Sequence, residues 1–298
     1  MVSVKNLPDK ELFYGHKACQ GCGAAIVARL AMKILGERTC VALPASCISS
    51  VTTIYPQMSF FVNNMTSSFP ATGAVLSGMA AAVKAQGLKE VNVLGLAGDG
   101  GTIDIGIQAL SGAIERGDDF LYICYDNEAY MNTGIQRSGL TPYGAWTTTT
   151  PTNNNDIGEK KFKKNLFEIL IAHRIPYAAT ANVAYPNDLL KKLEKAKGIR
   201  GPKVLHILAP CPTGWGYKTE ETIEIGRLAV QTGLWYLAEY ENNEVTLNYR
   251  PKDFKPVKEY LAKQKRFRHL KDADFQVIEE HRDEEWKILE RHLRKDEE

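Results

Sequence analysis

Short apolar runs alternate with helical patterns along most of the chain. Each run is about as long as a strand and ends at glycine, proline or polar residues, which predicts a buried strand. Between the runs, apolar side chains recur every three or four residues, the spacing of an amphipathic helix. The predicted strands cover residues 39–44, 91–97, 120–125, 177–181 and 203–209. The predicted helices cover residues 24–35, 71–86, 104–116, 162–173, 187–196 and 222–237.

This alternation determines the predicted fold class. Parallel neighbouring strands need a crossover connection, which is usually a helix, so the order of elements indicates an α/β fold. We expect a parallel sheet with helices on both faces. The pattern holds as far as residue 250, and we place the main domain at residues 1–250.

Residues 251–298 are predicted to form a C-terminal helical extension. The segment is highly charged, with 26 of its 48 residues being Asp, Glu, Lys or Arg. Within it, Phe275, Ile278, Trp286 and Leu289 fall at helical spacing, which predicts an amphipathic helix. The apolar stripe of this helix can dock on its own domain or on a partner subunit, and the pattern leaves both open.

Composition and charge exclude several classes of function. The 298 residues are 44% hydrophobic and 24% charged, which is ordinary globular composition. The formal net charge of +2 leaves no basic excess for nucleic acid. The basic cluster of Lys263, Lys265, Arg266 and Arg268 is predicted to be a solvated face rather than a site for an electron carrier. No apolar run approaches the roughly 20 residues of a membrane span. The first residues also lack the apolar stretch of a signal peptide, so we expect a soluble, cytoplasmic protein without membrane contact.

A glycine-rich turn, Gly98-Asp99-Gly100-Gly101, follows a predicted strand and precedes a predicted helix. The strand delivers Asp99 to the sheet edge where open α/β folds bind ligands. Glycine backbone N–H groups can approach a diphosphate there, and a helix N-terminus favours its charge. Asn127 follows the next strand and reaches the same edge. Carboxylate and amide oxygens suit a magnesium ion, so the pair predicts a magnesium–diphosphate site, although the turn alone is a weak signal.

The six cysteines fall into two groups. Two lie in apolar, strand-like runs and are predicted to be core residues: Cys40 and Cys124. The other four lie among glycine, proline and serine, where thiolates can converge on a metal: Cys19, Cys22, Cys47 and Cys211. Ligand chemistry alone allows either structural zinc or an iron–sulfur cluster. The spacing is not that of a zinc finger, which usually has a second close pair.

Five longer motifs follow one another along the chain. They are GHKACQGCG at 15–23, GDGGTIDIG at 98–106, YDNEAYMNTG at 125–134, TPYGAWT at 141–147 and PCPTGW at 210–215. On these motifs the chain resembles the β subunits of pyruvate:ferredoxin oxidoreductases and their relatives in the 2-oxoacid:acceptor oxidoreductase family. The resemblance runs from Tyr14 to about Leu270, which is nearly the whole chain.

The resemblance implies a thiamine-diphosphate-binding fold that carries one 4Fe-4S cluster. The implied cluster ligands are the four cysteines of the turns: Cys19, Cys22, Cys47 and Cys211. The implied magnesium ligands are Asp99, Asn127 and the backbone carbonyl of Ala129. The implied contacts with thiamine diphosphate are Gly98, Asp99, Gly100, Gly101, Asn127, Ala129, Tyr130, Met131, Asn132 and Cys47. Asn132 is also the implied catalytic residue, because the family motif places it next to the reacting carbon of the 2-oxoacid.

The resemblance further implies that this chain works only with partners. These are α, γ and δ subunits, ferredoxin as electron acceptor, and coenzyme A with a 2-oxoacid as substrates. Pyruvate is the favoured substrate, and relatives use branched-chain 2-oxoacids, 2-oxoglutarate, oxalate or phenylglyoxylate. An anaerobic host is expected, because exposed thiolate-held clusters are damaged by oxygen. Two alternatives stay open: half of a thiamine-dependent decarboxylase or ligase with structural zinc, and a non-enzymatic scaffold subunit.

Overall fold

A central sheet organises the protein. The computed structural model of the chain describes residues 2–56 and 58–293. Met1, Gln57 and residues 294–298 belong to the predicted domain and extension and lie outside the described residues. The strands in the described part are β1 (Thr39–Pro44), β2 (Asn63–Ser67), β3 (Asn92–Gly98), β4 (Phe120–Asp126), β5 (Tyr177–Asn182), β6 (Pro202–Leu208), β7 (Leu237–Glu241) and β8 (Glu244–Tyr249). The helices are α1 (Gly23–Leu35), α2 (Cys47–Thr52), α3 (Thr72–Ala85), α4 (Ile107–Glu115), α5 (Leu166–Ala172), α6 (Pro186–Gly198), α7 (Pro212–Trp215), α8 (Thr222–Gln231), α9 (Val257–Leu261) and α10 (Asp272–Leu293).

The strands lie in the order β2-β1-β3-β4-β6-β5-β7-β8. Every neighbouring pair from β2 to β5 is parallel, and β7 and β8 are added antiparallel at one edge. Every residue of β4 and β6 is buried, as expected for strands covered by helices on both faces. The predicted α/β class is therefore confirmed, with an antiparallel edge that the apolar pattern did not reveal.

One predicted helix is too long. The apolar spacing predicts a helix over residues 222–237, but α8 ends at Gln231 and Leu237 begins β7. Gly233 adopts a φ of +75°, a left-handed conformation that commonly ends helices. Leu237 is buried in the sheet as the first residue of β7. Its apolar side chain happens to fall at helical spacing from those of α8, so the pattern assigned it to the helix.

The C-terminal helix docks on this chain's own sheet domain. Ile278, Trp286 and Leu289 of α10 are buried among core side chains. The indole N–H of Trp286 donates to the carbonyl of Gly233 at 2.8 Å. The apolar stripe is thus used within the subunit. No helix in the described part of the chain is both long and apolar enough to cross a membrane.

Two glycines of α3 have opposite surroundings, which gives a paired prediction. A Cβ at Gly73 would lie 2.5 Å from the backbone of Ala109 in α4, whereas one at Gly78 would meet nothing within 4 Å. Gly73→Ala is expected to destabilise the chain by about 1–3 kcal/mol through overpacking. Gly78→Ala is expected to stabilise it by about 0.5–1 kcal/mol, since alanine favours helix. Urea unfolding of both variants measures this, and equal effects would contradict the close helix contact.

Candidate active site

The turn after β3 and the loop after β4 leave the sheet side by side. The two strands are parallel, with Gly98 opposite Tyr125. β3 runs into a π-helical turn, Gly100–Asp104, before α4 begins, so the helix predicted from residue 104 starts later. Wide turns of this kind are frequent at functional sites. Asp99 and Asn127 therefore meet at the edge where their spacing predicts them.

Three oxygen atoms converge at this edge with no hydrogen-bond donor between them. The side-chain oxygen of Asn127 lies 3.0 Å from the carbonyl oxygen of Ala129 and 3.1 Å from Oδ1 of Asp99. Turning the amide over would let its nitrogen donate to both. With the amide oxygen of Asn127 facing inward, all three atoms are oxygens that offer lone pairs, and such atoms can coordinate a cation. Adjacent ligands of an octahedral magnesium ion, with bonds of about 2.1 Å, lie about 3.0 Å apart, as these atoms do.

Asp99 lies fully buried beneath this point. Its Oδ2 accepts a hydrogen bond from the hydroxyl of Ser138. Burial, and then the nearby charge of Asp126, raise the pKa of Asp99 well above its ordinary value. A carboxylate in this position is stabilised by a cation placed beside it.

A cavity of about 380 Å³ opens over these oxygens. It is lined by nine of the ten residues predicted to contact the cofactor: Cys47, Gly98, Gly100, Gly101, Asn127, Ala129, Tyr130, Met131 and Asn132. Hydroxyl groups of α2 and its N-cap, among them Ser46 and Ser50, also line the cavity, and sequence reasoning missed them. The amide nitrogen of Asn132 donates to Oγ of Ser50 at 3.1 Å.

Gly100 and Tyr130 form one wall of the cavity. A Cβ at Gly100 would lie 2.5 Å from the Tyr130 ring, so only glycine allows this approach. The phenol donates to Oδ2 of Asp104 at 3.2 Å. Burial, and then the charge of Asp104, raise the pKa of Tyr130, which keeps the phenol protonated. Tyr130 therefore adds no negative charge to this side of the cavity.

The four cysteines of the predicted metal site are neighbours. Each of the six pairs among them is close enough for one thiolate to raise the pKa of the other: Cys19, Cys22, Cys47 and Cys211. The N–H of Gly23 donates to the carbonyl of Pro210 at 3.2 Å, which holds the first cysteine turn against the last. Within residues 2–56 and 58–293, no three His, Cys, Asp or Glu side chains form a group tight enough for one metal ion.

Helix N-termini position three of these sulfurs. Cys22 and Cys211 are the N-cap residues of α1 and α7, and Cys47 is the first residue of α2. The backbone N–H of Gly214 donates to Sγ of Cys211 at 3.3 Å. Burial, and then nearby thiols, raise the pKa of Cys47 to about 12, and burial raises that of Cys211 to about 11. Uncompensated thiolates are therefore unfavourable here, and bound cations would stabilise them.

The other two cysteines lie elsewhere. Cys124 is buried in β4, which confirms the predicted core position. Cys40 in β1 is only partly buried, so the predicted core position is wrong for this cysteine. His206 of β6 is buried beside β4, with Nε2 2.9 Å from Oδ2 of Asp126.

Buried and partly buried charges surround the loop after β4, and sequence reasoning missed most of them. Lys163 donates to Oδ2 of Asp126 at 2.9 Å and to Oε1 of Glu128 at 2.8 Å. Arg266 donates to Oε2 of Glu128. The prediction that Arg266 belongs to a solvated face is wrong, because its side chain is only 4% exposed. The sequence of a basic run does not indicate which of its side chains is buried, and here Arg266 pairs with the buried carboxylate of Glu128.

Comparison with known proteins identifies the family. The chain is 51% identical over 294 residues to pyruvate synthase subunit PorB of Methanocaldococcus jannaschii, covering 96% of this chain and 99% of the relative. The chain is a β subunit of the 2-oxoacid:ferredoxin oxidoreductase family. The family resemblance predicted from the motifs is therefore confirmed, and the chain is one subunit of an oxidoreductase assembled from several.

Two further comparisons agree with this family of β subunits. The family described as "Thiamine pyrophosphate enzyme, C-terminal TPP binding domain" matches residues 46–207, which places a thiamine-diphosphate-binding domain there. Ketoisovalerate oxidoreductase subunit VorB of Pyrococcus abyssi is also 51% identical, over 291 residues, covering 95% of this chain and 94% of the relative.

A solved structure shares the fold of this β subunit. It is a 2-oxoglutarate:ferredoxin oxidoreductase from Magnetococcus marinus, with a TM-score of 0.57 and 18% identity, covering 75% of this chain and 79% of the other. At this identity the likeness establishes the architecture, and it agrees with the sheet described above.

Proposed function

We propose that this β subunit belongs to a pyruvate synthase and holds thiamine diphosphate with Mg²⁺ and one 4Fe-4S cluster. The enzyme would work in the cytoplasm with α, γ and δ subunits. It would convert pyruvate and coenzyme A to acetyl-coenzyme A and carbon dioxide, with the electrons passing to ferredoxin. The observation that carries the proposal is the meeting of three oxygens, from Asp99, Asn127 and Ala129, inside the matched thiamine-diphosphate domain.

The magnesium part of the proposal rests on chemistry and spacing. A carboxylate, an amide and a backbone carbonyl are all hard oxygen donors, which Mg²⁺ prefers. Their separations of 3.0 and 3.1 Å match neighbouring corners of its octahedron. Mg²⁺ is usually bound through few protein ligands together with substrate phosphates and water, and the cavity leaves the other corners open. The glycines from Gly98 to Gly101 leave room for the diphosphate.

The cluster part rests on the cysteine group. Zinc with bonds of about 2.3 Å would hold its four sulfurs in a tight tetrahedron. The four thiols are mutual neighbours, and their spacing in the sequence is not that of a zinc finger, which supports a cluster over a single zinc ion. The N–H donor to Sγ of Cys211 is of the kind that tunes cluster potentials. Cys47 lines the cavity and belongs to the group, so the two cofactors would be adjacent.

When bound, thiamine diphosphate supplies an electron sink for loss of carbon dioxide, and the cluster accepts the electrons. The proposed catalytic residue is Asn132, which lines the cavity and would hydrogen-bond the 2-oxoacid. Met131 lies against the cysteine turn, since a Cβ at Gly214 would be 2.1 Å from its sulfur. It would therefore exclude water between cavity and cluster. We propose that the α subunit covers the open side of the cavity.

A second candidate substrate has a specific observation in its favour. The ketoisovalerate relative is as similar in identity as the pyruvate synthase relative, at 51% each. We favour pyruvate because the motifs of this chain resemble those of pyruvate:ferredoxin oxidoreductases. The branched-chain 2-oxoacid is the alternative, with the same cofactors and the same proposed roles.

Viologen reduction tests both substrates. The native complex is isolated anaerobically through an affinity tag on this chain. Reduction is expected to require pyruvate and coenzyme A together. The rate with 2-oxoisovalerate should be about 10-fold or more lower, because a pocket for a small side chain discriminates by about 10–200-fold per carbon.

The other outcomes of this assay separate the parts of the proposal. A preference for 2-oxoisovalerate would change the assigned substrate to a branched-chain 2-oxoacid and leave the proposed mechanism unchanged. A complex that retains iron and thiamine but fails to reduce viologen with any of the 2-oxoacids would contradict the proposed reaction.

A further inference from the structure

Glu128 has an unusual backbone conformation at a critical position. It lies between Asn127 and Ala129, and its φ is +65°. This left-handed region is unfavourable for a residue with a Cβ and is usually left to glycine. The turn at Glu128 allows the Asn127 side chain and the Ala129 carbonyl to face the same point. The conformation of Glu128 and the convergence of the three oxygens are therefore linked.

Every polar group of Glu128 is hydrogen-bonded. Its backbone N–H donates to Oδ1 of Asp126 at 2.9 Å, and its carbonyl accepts from Oγ1 of Thr141 at 2.8 Å. Its carboxylate accepts from Lys163 through one oxygen, at 2.8 Å, and from Arg266 through the other. The side chain is almost fully buried, at 5% exposed, and the pair with Arg266 is shielded from water on both sides, whereas Lys163 is partly exposed. Buried pairs with two cations can hold a backbone that would otherwise relax.

Arg266 also supports the residue before Glu128. Its guanidinium stacks on the ring of Trp215, 4.1 Å from the ring centroid. The indole N–H of Trp215 donates to the carbonyl of Asn127 at 2.8 Å. Gln264 fixes the guanidinium by accepting from it at 2.7 and 2.9 Å. Arg266, from the C-terminal extension, thus pairs with Glu128 directly and supports Asn127 through Trp215.

We propose that Glu128 is a positioning residue, held left-handed by Lys163 and Arg266, that keeps the magnesium–diphosphate loop in its binding shape before the cofactor arrives. The inference rests on the proposed function of this loop. Glu128 does not line the cavity, and its role is to orient the oxygens on either side of it. A merely structural ion pair would support the fold without affecting how tightly the loop binds.

Alanine and glycine substitutions separate the backbone from the side chain. Glu128→Ala and Glu128→Gly both remove the ion pairs, but only glycine takes the left-handed conformation freely. In complexes assembled with each variant chain, Glu128→Ala is expected to weaken Mg²⁺-dependent binding of thiamine diphosphate by about 10–100-fold, the usual loss for a residue that orients metal ligands. Glu128→Gly is expected to bind at least about 5-fold more tightly than Glu128→Ala. Titration calorimetry measures each affinity without relying on turnover.

The chain offers a matched control. Glu90 is also a glutamate in the left-handed region, with φ of +58°, but it is exposed. Glu90→Ala and Glu90→Gly should leave the affinity unchanged. Thermal unfolding of each complex shows whether the chain folds. If Glu128→Ala does not, Glu128→Gln keeps the shape of the side chain and should bind with an affinity between the wild-type and alanine values.

The possible results are distinguishable. Tighter binding by Glu128→Gly than by Glu128→Ala supports the positioning role. Equal affinity in these two variants would overturn it, whether both match the wild type or both are weak. If the wild-type complex itself does not bind thiamine diphosphate with Mg²⁺, the proposed function fails and this inference fails with it.

Discussion

Replacing Asp99 with asparagine is expected to abolish magnesium-dependent binding of thiamine diphosphate and leave the fold intact. The substitution removes the one negative charge among the three converging oxygens. Loss of residues that merely orient metal ligands costs about 10–100-fold in affinity, so loss of the charged ligand should cost at least about 100-fold. The unliganded chain should be no less stable than wild type. Burial already raises the pKa of Asp99, and asparagine retains a partner for the Ser138 hydroxyl.

Asp118→Asn is the matched control for this experiment. Asp118 lies just before β4, at the other end of the strand from Asn127, and pairs with Arg116 at 3.2 Å near the surface. Such pairs contribute little to stability. Calorimetric titration with thiamine diphosphate and Mg²⁺ should show wild-type affinity for the control and no binding for Asp99→Asn. Undiminished binding by Asp99→Asn would show that Asp99 is not a magnesium ligand.

Replacing Cys47 with serine is expected to remove the iron–sulfur cluster. Burial raises the pKa of this thiol, so the thiolate is favoured only when iron binds it. Serine is a much poorer ligand for iron than thiolate. Relative to the wild-type complex, the variant should lose about four irons per chain and part of the visible absorption of the clusters. Thiamine diphosphate should still bind, because the magnesium ligands are unchanged.

Cys40→Ser provides the control, because it makes the same change at a cysteine of β1 outside the group. Iron analysis of anaerobically prepared complexes compares the two. Equal iron content in Cys47→Ser and wild type would contradict the assignment of this ligand. About one zinc per chain of wild type, with no iron in this subunit, would favour the structural-zinc alternative.

The geometry at the sheet edge was predictable because it depends on local signals. A strand ending in Gly98-Asp99 and another ending in Asp126-Asn127 must deliver those residues to one edge if the strands are parallel neighbours. The grouping of the cysteines needed more, since Cys47 and Cys211 are far apart in sequence, and only the family resemblance placed them in one ligand set. Their binding of a cluster stays a prediction.

The support for the loop was not predictable, because its parts come from distant segments with no local pattern. Arg266 lies 138 positions after Glu128, in a run of basic residues that resembles a solvated face. Nothing in the letters around Glu128 indicates a left-handed backbone there. The exposed edge strand β2 was missed for a related reason, because it has no buried face to produce an apolar pattern.

The position of Arg266 near the end of the chain has a consequence for biosynthesis. All the parallel strands of the sheet, β1 to β6, emerge from the ribosome before residue 266 does. A nascent chain can therefore form the sheet while its magnesium–diphosphate loop still lacks Arg266, one of the two cations that hold Glu128. We therefore expect cofactor binding to follow completion of synthesis, and truncated chains that end before residue 266 to bind thiamine diphosphate more weakly than finished subunits.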